Sequence, residues 1–196
     1  MRIRGHGAND FPYDVRYETY IARLGLLPFV LQFKQNPAPV NHVALTALTD
    51  RWRPETHSFH LACREMTMTL EDMTMINSLP INDLVVTGHV SVVNWRARVG
   101  DLIGVQPPLP LSGKTNSSKV KHFWLKEVRR ENNSCLGDAD EMVVQQYARA
   151  YLWYVLTKAV FIDATENSAL WMHLELVTDW DTQYSWGSAA LAYLYR

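Results

Sequence analysis

Residues 45–88 constrain the fold more than any other stretch, because nearly every position in it carries a local structural signal. Apolar side chains recur at Leu45, Leu48 and Trp52, the spacing that places residues on one face of a helix. The residue before a proline is disfavoured in the helical conformation, so this helix is predicted to end at Arg53. The chain must therefore turn sharply there and continue in another kind of element.

Two short β arms and a second helix are predicted to follow. Residues 57–62 and 66–69 have the composition of hairpin arms. Thr69 and Asp72 stand three residues apart and form the signature of a capping box, which begins a helix that Pro80 ends. The side chains predicted to face inward from this helix are Leu70, Met73, Ile76 and Leu79.

Helical periodicity dominates the rest of the chain. Helices are predicted over residues 14–24, 26–33, 91–103, 120–130, 140–162, 168–177 and 184–196, and a short strand over residues 85–87. The helix over residues 140–162 is apolar nearly all round and is predicted to be buried on several sides. In the first of these helices Tyr17, Tyr20, Ile21 and Leu24 are predicted to share one face, and small residues in the last are predicted to allow close helix packing. The sequence therefore predicts a mainly α, compact helical domain with a small β-hairpin or ribbon near residues 57–69. The domain is predicted to span residues 13–196, after a flexible N-terminal arm at residues 1–12.

The composition suits one globular domain with its own core, since 47% of the 196 residues are hydrophobic. A net charge of -1 gives no overall indication of nucleic-acid binding. Cys63 and Cys135 are too few for a disulfide framework and favour a reducing compartment. Neither a signal-peptide pattern nor an apolar run of membrane-spanning length is present, so no membrane association is expected.

Three candidate sites follow from residue types and spacing. His57, His60 and Cys63 offer nitrogen and thiolate ligands at a spacing that can hold zinc. Residues three apart on a strand point to opposite faces, however, and no fourth ligand is evident. Structural roles for these side chains are therefore the preferred interpretation, and no metal or other cofactor is predicted.

The second candidate site is a basic cluster that would bind the phosphate backbone of a nucleic acid. Its members are Lys114, Lys119, Lys121, Lys126, Arg129 and Arg130. Phe123 and Trp124 lie among these cations and would stack on bases if they were exposed. Both aromatics fall at core spacing, together with Val120 and Val128, so a solvated basic helix with a buried apolar face is the preferred interpretation.

The third candidate site is the corner after the first helix, formed by Arg51, Trp52, Arg53 and Glu55. These residues fit a surface recognition patch, and they also fit an internal brace in which an arginine bonds a carboxylate or a carbonyl at the helix end. The brace is preferred because the segment is a tight corner between elements. No catalytic residue is predicted, because the signatures of a nucleophile elbow, a zinc protease and a dinucleotide site are all missing from the sequence.

Four blocks of sequence carry a resemblance to a known family. They are residues 50–61 (DRWRPETHSFHL), 65–72 (EMTMTLED), 146–152 (QYARAYL) and 184–196 (YSWGSAALAYLYR). They resemble the plant mobile domain, also labelled aminotransferase-like, and the likeness runs from about Tyr13 onward. The domain in that family extends beyond the length of this chain, so the resemblance implies the N-terminal portion of a C-terminally truncated domain.

The resemblance implies a non-catalytic protein-interaction module. Members occur in plant transposable elements and in host proteins of the maintenance-of-meristems group. Those host proteins are nuclear, act in transposon silencing, genome stability and meristem maintenance, and work with a phosphatase-like partner. The implied localisation is nuclear, whereas the residues alone indicate only a cytosolic protein. The aminotransferase-like label finds no support, because no cofactor-binding lysine context can be identified. A truncated domain would also leave an apolar face bare, which predicts a partner or a homo-oligomer.

Overall fold

The computed structural model describes residues 11–35, 41–87, 90–109, 118–131, 135, 137–163 and 167–196. Residues 1–10 of the predicted arm and Lys114 of the basic cluster lie outside the described residues. The helices are α1 (Glu18–Arg23), α2 (Leu27–Lys34), α3 (His42–Thr49), α4 (Leu70–Asn77), α5 (Trp95–Ile103), α6 (His122–Glu131), α7 (Glu141–Ala159), α8 (Trp171–Glu175) and α9 (Trp186–Leu194). The strands are β1 (Trp52–Arg53), β2 (Ser58–His60), β3 (Glu65–Met66), β4 (Lys119–Lys121) and β5 (Ser168–Leu170). This arrangement confirms the mainly α fold with a small β-ribbon.

Helix α7 is the centre of the core, as its apolar composition predicts. It begins at the side-chain cap of Asp140, whose carboxylate accepts from the amide of Val143 at 2.8 Å. The seven residues from Tyr151 to Thr157 are all buried, because α1, α5, α6, α8 and β5 pack around the helix. Within the described residues, no helix combines the length and the apolar character that a bilayer span requires.

The N-terminal helices pack on α7 through the face that the sequence predicts. Tyr17, Tyr20, Ile21 and Leu24 are buried, and Gly25 ends the helix in the left-handed conformation with φ +71°. Phe11 is also buried and stacks on Tyr154 with ring centroids 5.1 Å apart. The core therefore includes one residue of the segment that the sequence assigns to a flexible arm.

The ribbon near residues 57–69 has three strands in the order β1-β2-β3, all antiparallel. The predicted hairpin is present, with Phe59 paired to Met66. The helix that contains Leu45 and Leu48 is predicted to continue to Arg53. This prediction is wrong, since α3 ends at Thr49 and Trp52 pairs with Phe59 in the ribbon. The backbone of Trp52 and Arg53 therefore pairs with strand β2 and does not form the hydrogen bonds of a longer helix.

Helix α4 has the predicted capping box, with the Thr69 hydroxyl and the Asp72 carboxylate each bonded to the other residue's amide. The predicted burial is correct for Met73 and Leu79 and wrong for Leu70 and Ile76, which are exposed. The reason is that α4 packs mainly against one element, α9, so a single narrow stripe of the helix is covered.

Two segments predicted as helical begin as strands. Residues 119–121 and 168–170 pair as the antiparallel strands β4 and β5, which neither segment could form alone. The helix α6 consequently begins at His122, and its phase places Leu125 in the core. Phe123, predicted to face inward, is 68% exposed.

The region before α5 also differs from the prediction. Helix α5 begins at Trp95 rather than at residue 91, because Asn94 adopts a left-handed conformation with φ +55°. Val92 is therefore exposed and does not join the helix face. The strand predicted over residues 85–87 is not formed, and only Leu84 bridges to Tyr184.

Candidate functional site

An open apolar groove of about 880 Å³ lies between α2, α4, α9 and the end of α7. Its lining is Phe29, Gln32, Phe33, Gln35, Met68, Met73, Asn77, Leu79, Ala159, Val160, Ile162, Ala190, Tyr193 and Leu194. Ile162 and Leu194 are 43% and 49% exposed, so part of this apolar surface faces solvent. Clefts of this size, mostly apolar with a few polar groups, are the usual form of binding sites.

Side-chain hydrogen bonds to backbone carbonyls fix the walls of the groove. The Gln32 amide donates to the Ile76 carbonyl at 2.6 Å and joins α2 to α4. The Tyr193 hydroxyl donates to the Ile162 carbonyl at 2.9 Å and joins α9 to the segment after α7. Elements from four separate parts of the chain are thereby held in one arrangement, which preorganises the groove.

Close backbone packing positions α9 as the groove's third wall. The Gly187 amide donates to the Pro80 carbonyl at 2.8 Å. A Cβ added at Gly187 would lie only 2.5 Å from Cγ2 of Ile81, so this approach requires glycine. The small residues predicted to allow close helix packing therefore do so at this position.

Tyr195 connects the groove to the ribbon. Its hydroxyl donates to the Met68 carbonyl and lies 2.6 Å from the Thr67 hydroxyl oxygen. Its ring lies 5.1 Å from that of His57, whose backbone is left-handed with φ 50°. The ribbon is thus anchored at the mouth of the groove by one side chain.

Among the described residues that line the groove, none carries a charged side chain. Below its floor, the ring of His173 stacks on Phe161 at 4.5 Å and is almost fully buried. Burial lowers the pKa of His173 to about 4, so this ring is neutral at physiological pH. Partial burial also raises the pKa of the Tyr193 hydroxyl. The described lining therefore contributes no ionised group at physiological pH, which suits an apolar ligand surface.

The corner residues differ in their contacts and exposure. The Arg51 guanidinium donates to the Ala47 carbonyl at 2.9 Å, which is the helix-end brace. Trp52 is half-buried against Phe59 with ring centroids 4.8 Å apart. The side chains of Arg53 and Glu55 are exposed, and neither side chain makes a hydrogen bond or an ion pair with the part of the chain that the structure describes.

The histidines and cysteine of the candidate metal site point to different surroundings. His57 faces Tyr195, Nε2 of His60 lies 3.1 Å from the Glu65 carboxylate, and Cys63 is exposed. Among the described residues, no three His, Cys, Asp or Glu side chains lie close enough together to hold a metal ion. The structure therefore does not bring these three residues into one site.

The fold places the members of the basic cluster in different surroundings. Arg129 is buried, with its guanidinium 3.9 Å from the Tyr147 ring centroid and bonded to the Ile103 carbonyl. Lys119 pairs with Asp163 at 3.5 Å, and Lys121 donates to the Ser168 hydroxyl at 3.3 Å.

Lys126 lies over the Tyr154 ring at 5.6 Å. The side chain of Arg130 lies outside the described residues, as does Lys114. Burial of Arg129 removes one predicted phosphate contact, while exposure of Phe123 supplies one aromatic that is free of the core. Of the four cations whose side chains the structure describes, Arg129 is buried, Lys119 and Lys126 are half-buried, and Lys121 is exposed.

Sequence reasoning did not find the groove. Four of its lining residues come from distant segments of the chain: Phe29, Met68, Ile162 and Leu194. In the sequence each of them looks like an ordinary residue of a helix face or of a loop. The sequence predicts that an apolar face is left bare, but it shows neither where this face lies nor which residues form it.

The fold and the groove define a class of protein: a mainly α domain with an open, uncharged, apolar cleft. The chain belongs to the plant mobile domain family, which matches residues 30–196. No solved structure matches it significantly.

Curated relatives from Arabidopsis thaliana carry the same stretch. A serine/threonine-protein phosphatase 7 long form homolog is 33% identical over 97% of this chain and 14% of its own length. Protein MAIN-LIKE 1 is 36% identical over 83% of the chain and 32% of its own length. Protein MAINTENANCE OF MERISTEMS is 34% identical over 80% of the chain and 32% of its own length. The chain spans about a third or less of these relatives.

Proposed function

We propose that the chain is a non-catalytic protein-interaction module and that the groove is its binding surface. The observation that carries this proposal is the groove itself, an uncharged apolar cleft with preorganised walls and exposed aliphatic residues at its rim. Exposed apolar surface of this kind marks interaction sites in soluble proteins.

A phosphatase-like protein is the proposed partner. The support is that a stretch similar to nearly the whole chain occurs in a relative named as a serine/threonine-protein phosphatase homolog. The matching stretch makes up 14% of that relative, and an association between this chain and a phosphatase-like protein extends from the relative's name. The apolar groove would then bind an apolar segment of that partner.

Replacement of Leu194 by aspartate should weaken this association by at least about tenfold, because it places a charge on the apolar surface that the partner would cover. Binding would be measured by calorimetry against the purified Arabidopsis phosphatase homolog. Leu194 is 49% exposed, so the variant should fold, and its unfolding temperature would be checked. The matched control is Leu109→Asp, at an 82% exposed leucine outside the groove. Equal affinities for both variants would rule out the groove as the binding surface.

We also propose that the protein acts in the nucleus, in transposon silencing, genome stability and meristem maintenance. The relatives named MAIN-LIKE 1 and MAINTENANCE OF MERISTEMS contain a similar stretch, and the second name supports the part of this role that concerns meristems. In this context the module would connect a nuclear pathway to a phosphatase-like protein without performing a reaction itself.

A domain exchange tests the nuclear role. The chain would replace the matching stretch of Protein MAINTENANCE OF MERISTEMS, and the chimera would be expressed with a fluorescent tag in plants that lack the original protein. We expect nuclear fluorescence and restored meristems, and loss of restoration when the exchanged stretch carries Leu194→Asp. A chimera that is nuclear and stable but restores nothing would contradict the shared role.

A further inference from the structure

The hydroxyl of Thr67 lies where the ribbon meets the end of α9. It donates to the His57 carbonyl at 2.6 Å, and its oxygen also lies 2.6 Å from the Tyr195 hydroxyl oxygen. The Tyr195 hydroxyl donates in turn to the Met68 carbonyl. Among the described elements, the three ribbon strands pack extensively only against one another. This group of hydrogen bonds therefore holds the ribbon against the helix.

The bond from Thr67 also stabilises an unfavourable backbone conformation. His57 has a φ of 50°, in the left-handed region that a residue with a side chain adopts only when surrounding contacts hold it. Those contacts are the bond from the Thr67 hydroxyl and the Tyr195 ring, whose centroid lies 5.1 Å from that of the His57 ring. Loss of the donor would let this turn relax and move away from α9.

Thr67 is accessible to a modifying enzyme. It is exposed and lies in the short connection between β3 and α4, where Thr69 is extended with φ -112° and ψ 169°. Arg64 is also exposed and stands three residues before Thr67. Protein kinases discriminate among hydroxyls by the pattern of charges around them. The segment therefore presents a hydroxyl, an open backbone and a cation to such an enzyme.

We propose that Thr67 is a phosphorylation site and that its modification releases the ribbon from α9. A protein kinase transfers the γ-phosphoryl group of ATP: a bond forms between phosphorus and the Thr67 oxygen, the bond from that phosphorus to the leaving ADP oxygen breaks, and the hydroxyl proton is lost. The modified oxygen can no longer donate to the His57 carbonyl. A phosphate group also cannot fit within the 2.6 Å that separates this oxygen from the Tyr195 hydroxyl.

Release of the ribbon alters the groove, because groove residues adjoin both sides of the broken contact. Met68 directly follows Thr67, and Leu194 directly precedes Tyr195. The phosphate also brings a charge of about -1.5 to -2 beside a described lining that has none. This regulation rests on the proposed function, in that the groove is a protein-binding surface. Phosphorylation weakens binding there, and removal of the phosphate restores it.

The modification is tested by incubating the chain with ATP and a whole-cell extract of Arabidopsis thaliana and mapping phosphate by mass spectrometry. We expect phosphate on Thr67, and about tenfold less of it in Arg64→Gln, since a charge-assisted hydrogen bond to the kinase is lost. Thr56 is the matched comparison: it is exposed, follows Arg53 by three residues, and has its hydroxyl 2.7 Å from that of Ser58 within the ribbon. Phosphate on Thr56 but not on Thr67 would overturn the site, as would phosphate on neither.

The structural effect is tested on chains synthesised with phosphothreonine at position 67 or, as the control, at position 56. Nuclear Overhauser contacts between the rings of His57 and Tyr195 report the docked ribbon. We expect them to be lost in the first chain and kept in the second. Contacts between the stacked rings of Phe161 and His173 should persist in both chains, which shows that the core is folded. Contacts of His57 with Tyr195 that survive phosphorylation at position 67 would overturn the release.

Calorimetry against the phosphatase homolog separates this inference from the proposed function. The chain phosphorylated at position 67 should bind at least about tenfold more weakly than the unmodified chain, and the chain phosphorylated at position 56 should bind like it. Equal affinity in all three forms would overturn the regulation alone and leave the proposed function standing. Release of the ribbon in a chain that binds the homolog in no form, unmodified included, would overturn the proposed function and leave the phosphorylation site in place.

Discussion

Replacement of Trp153 by alanine should lower the free energy of unfolding by about 3–5 kcal/mol, the usual cost of removing a large aromatic side chain from a core. Trp153 is fully buried in α7, and its indole NH donates to the Leu170 carbonyl at 2.8 Å. The change leaves a cavity at the centre of the domain and an unpaired carbonyl in β5. At roughly 2–4 °C per kcal/mol for a chain of this size, Tm should fall by about 10 °C.

The matched control for Trp153 is Trp52→Ala. Trp52 is half-buried in the ribbon and contacts mainly Phe59, so its loss should cost less than half as much. Urea unfolding followed by circular dichroism measures both variants. If Trp52→Ala destabilised the protein as much as Trp153→Ala, the assignment of α7 as the centre of the core would fail.

Acidification should destabilise the domain through His173. Because burial lowers the pKa of this ring to about 4, the folded chain resists a proton that the unfolded chain binds below pH 6.5. The contribution of the neutral ring to stability is complete above pH 6.5 and is lost progressively as the pH falls towards 4. At about 1.4 kcal/mol per unit of pKa difference, the loss reaches about 3 kcal/mol at pH 4.

His173→Phe should flatten this pH dependence, since a phenyl ring can keep the stack on Phe161 and carries no proton. The measurement is the free energy of unfolding from pH 7.5 to 4.5, above the range where the lowered carboxyl pKa values of Asp14, Asp72 and Asp179 become important. Parallel curves for the natural chain and the variant would show that His173 does not carry the effect.

Local signals in the sequence were sufficient for several elements. The capping box at Thr69 and Asp72 depends on two residues within one turn of each other, so the sequence contains both partners. The hairpin between β2 and β3 is local in the same sense. Burial of α7 also followed from composition, because a helix apolar on every side can only be central.

Predictions failed where the partner is distant in the chain. Strand β4 forms because Val120 pairs with Ala169, and β1 forms because Trp52 pairs with Phe59. Burial of Arg129 depends on Tyr147 and Ile103, neither of which its own segment reveals. Helical periodicity alone could not show that Phe123 would face solvent, because that depends on where the strand ends and the helix begins.

The candidate sites also differ in whether they depend on neighbouring residues or on distant segments. The sequence named the corner at Arg51 and Glu55 from local patterning, and the structure separates a bracing Arg51 from an exposed Glu55. The groove could not be named, since a cleft exists only after α2, α4, α7 and α9 have been brought together.

The sequence by itself therefore determined the family, the mainly α class, the capping box and the identity of the central helix. Each of these depends on residue types or on contacts within a few positions. The tertiary structure alone decided where apolar surface remains uncovered, as it does in the groove. The physical reason is that exposure is a property of packing between distant segments, and an apolar stripe looks the same in the sequence whether or not another element covers it.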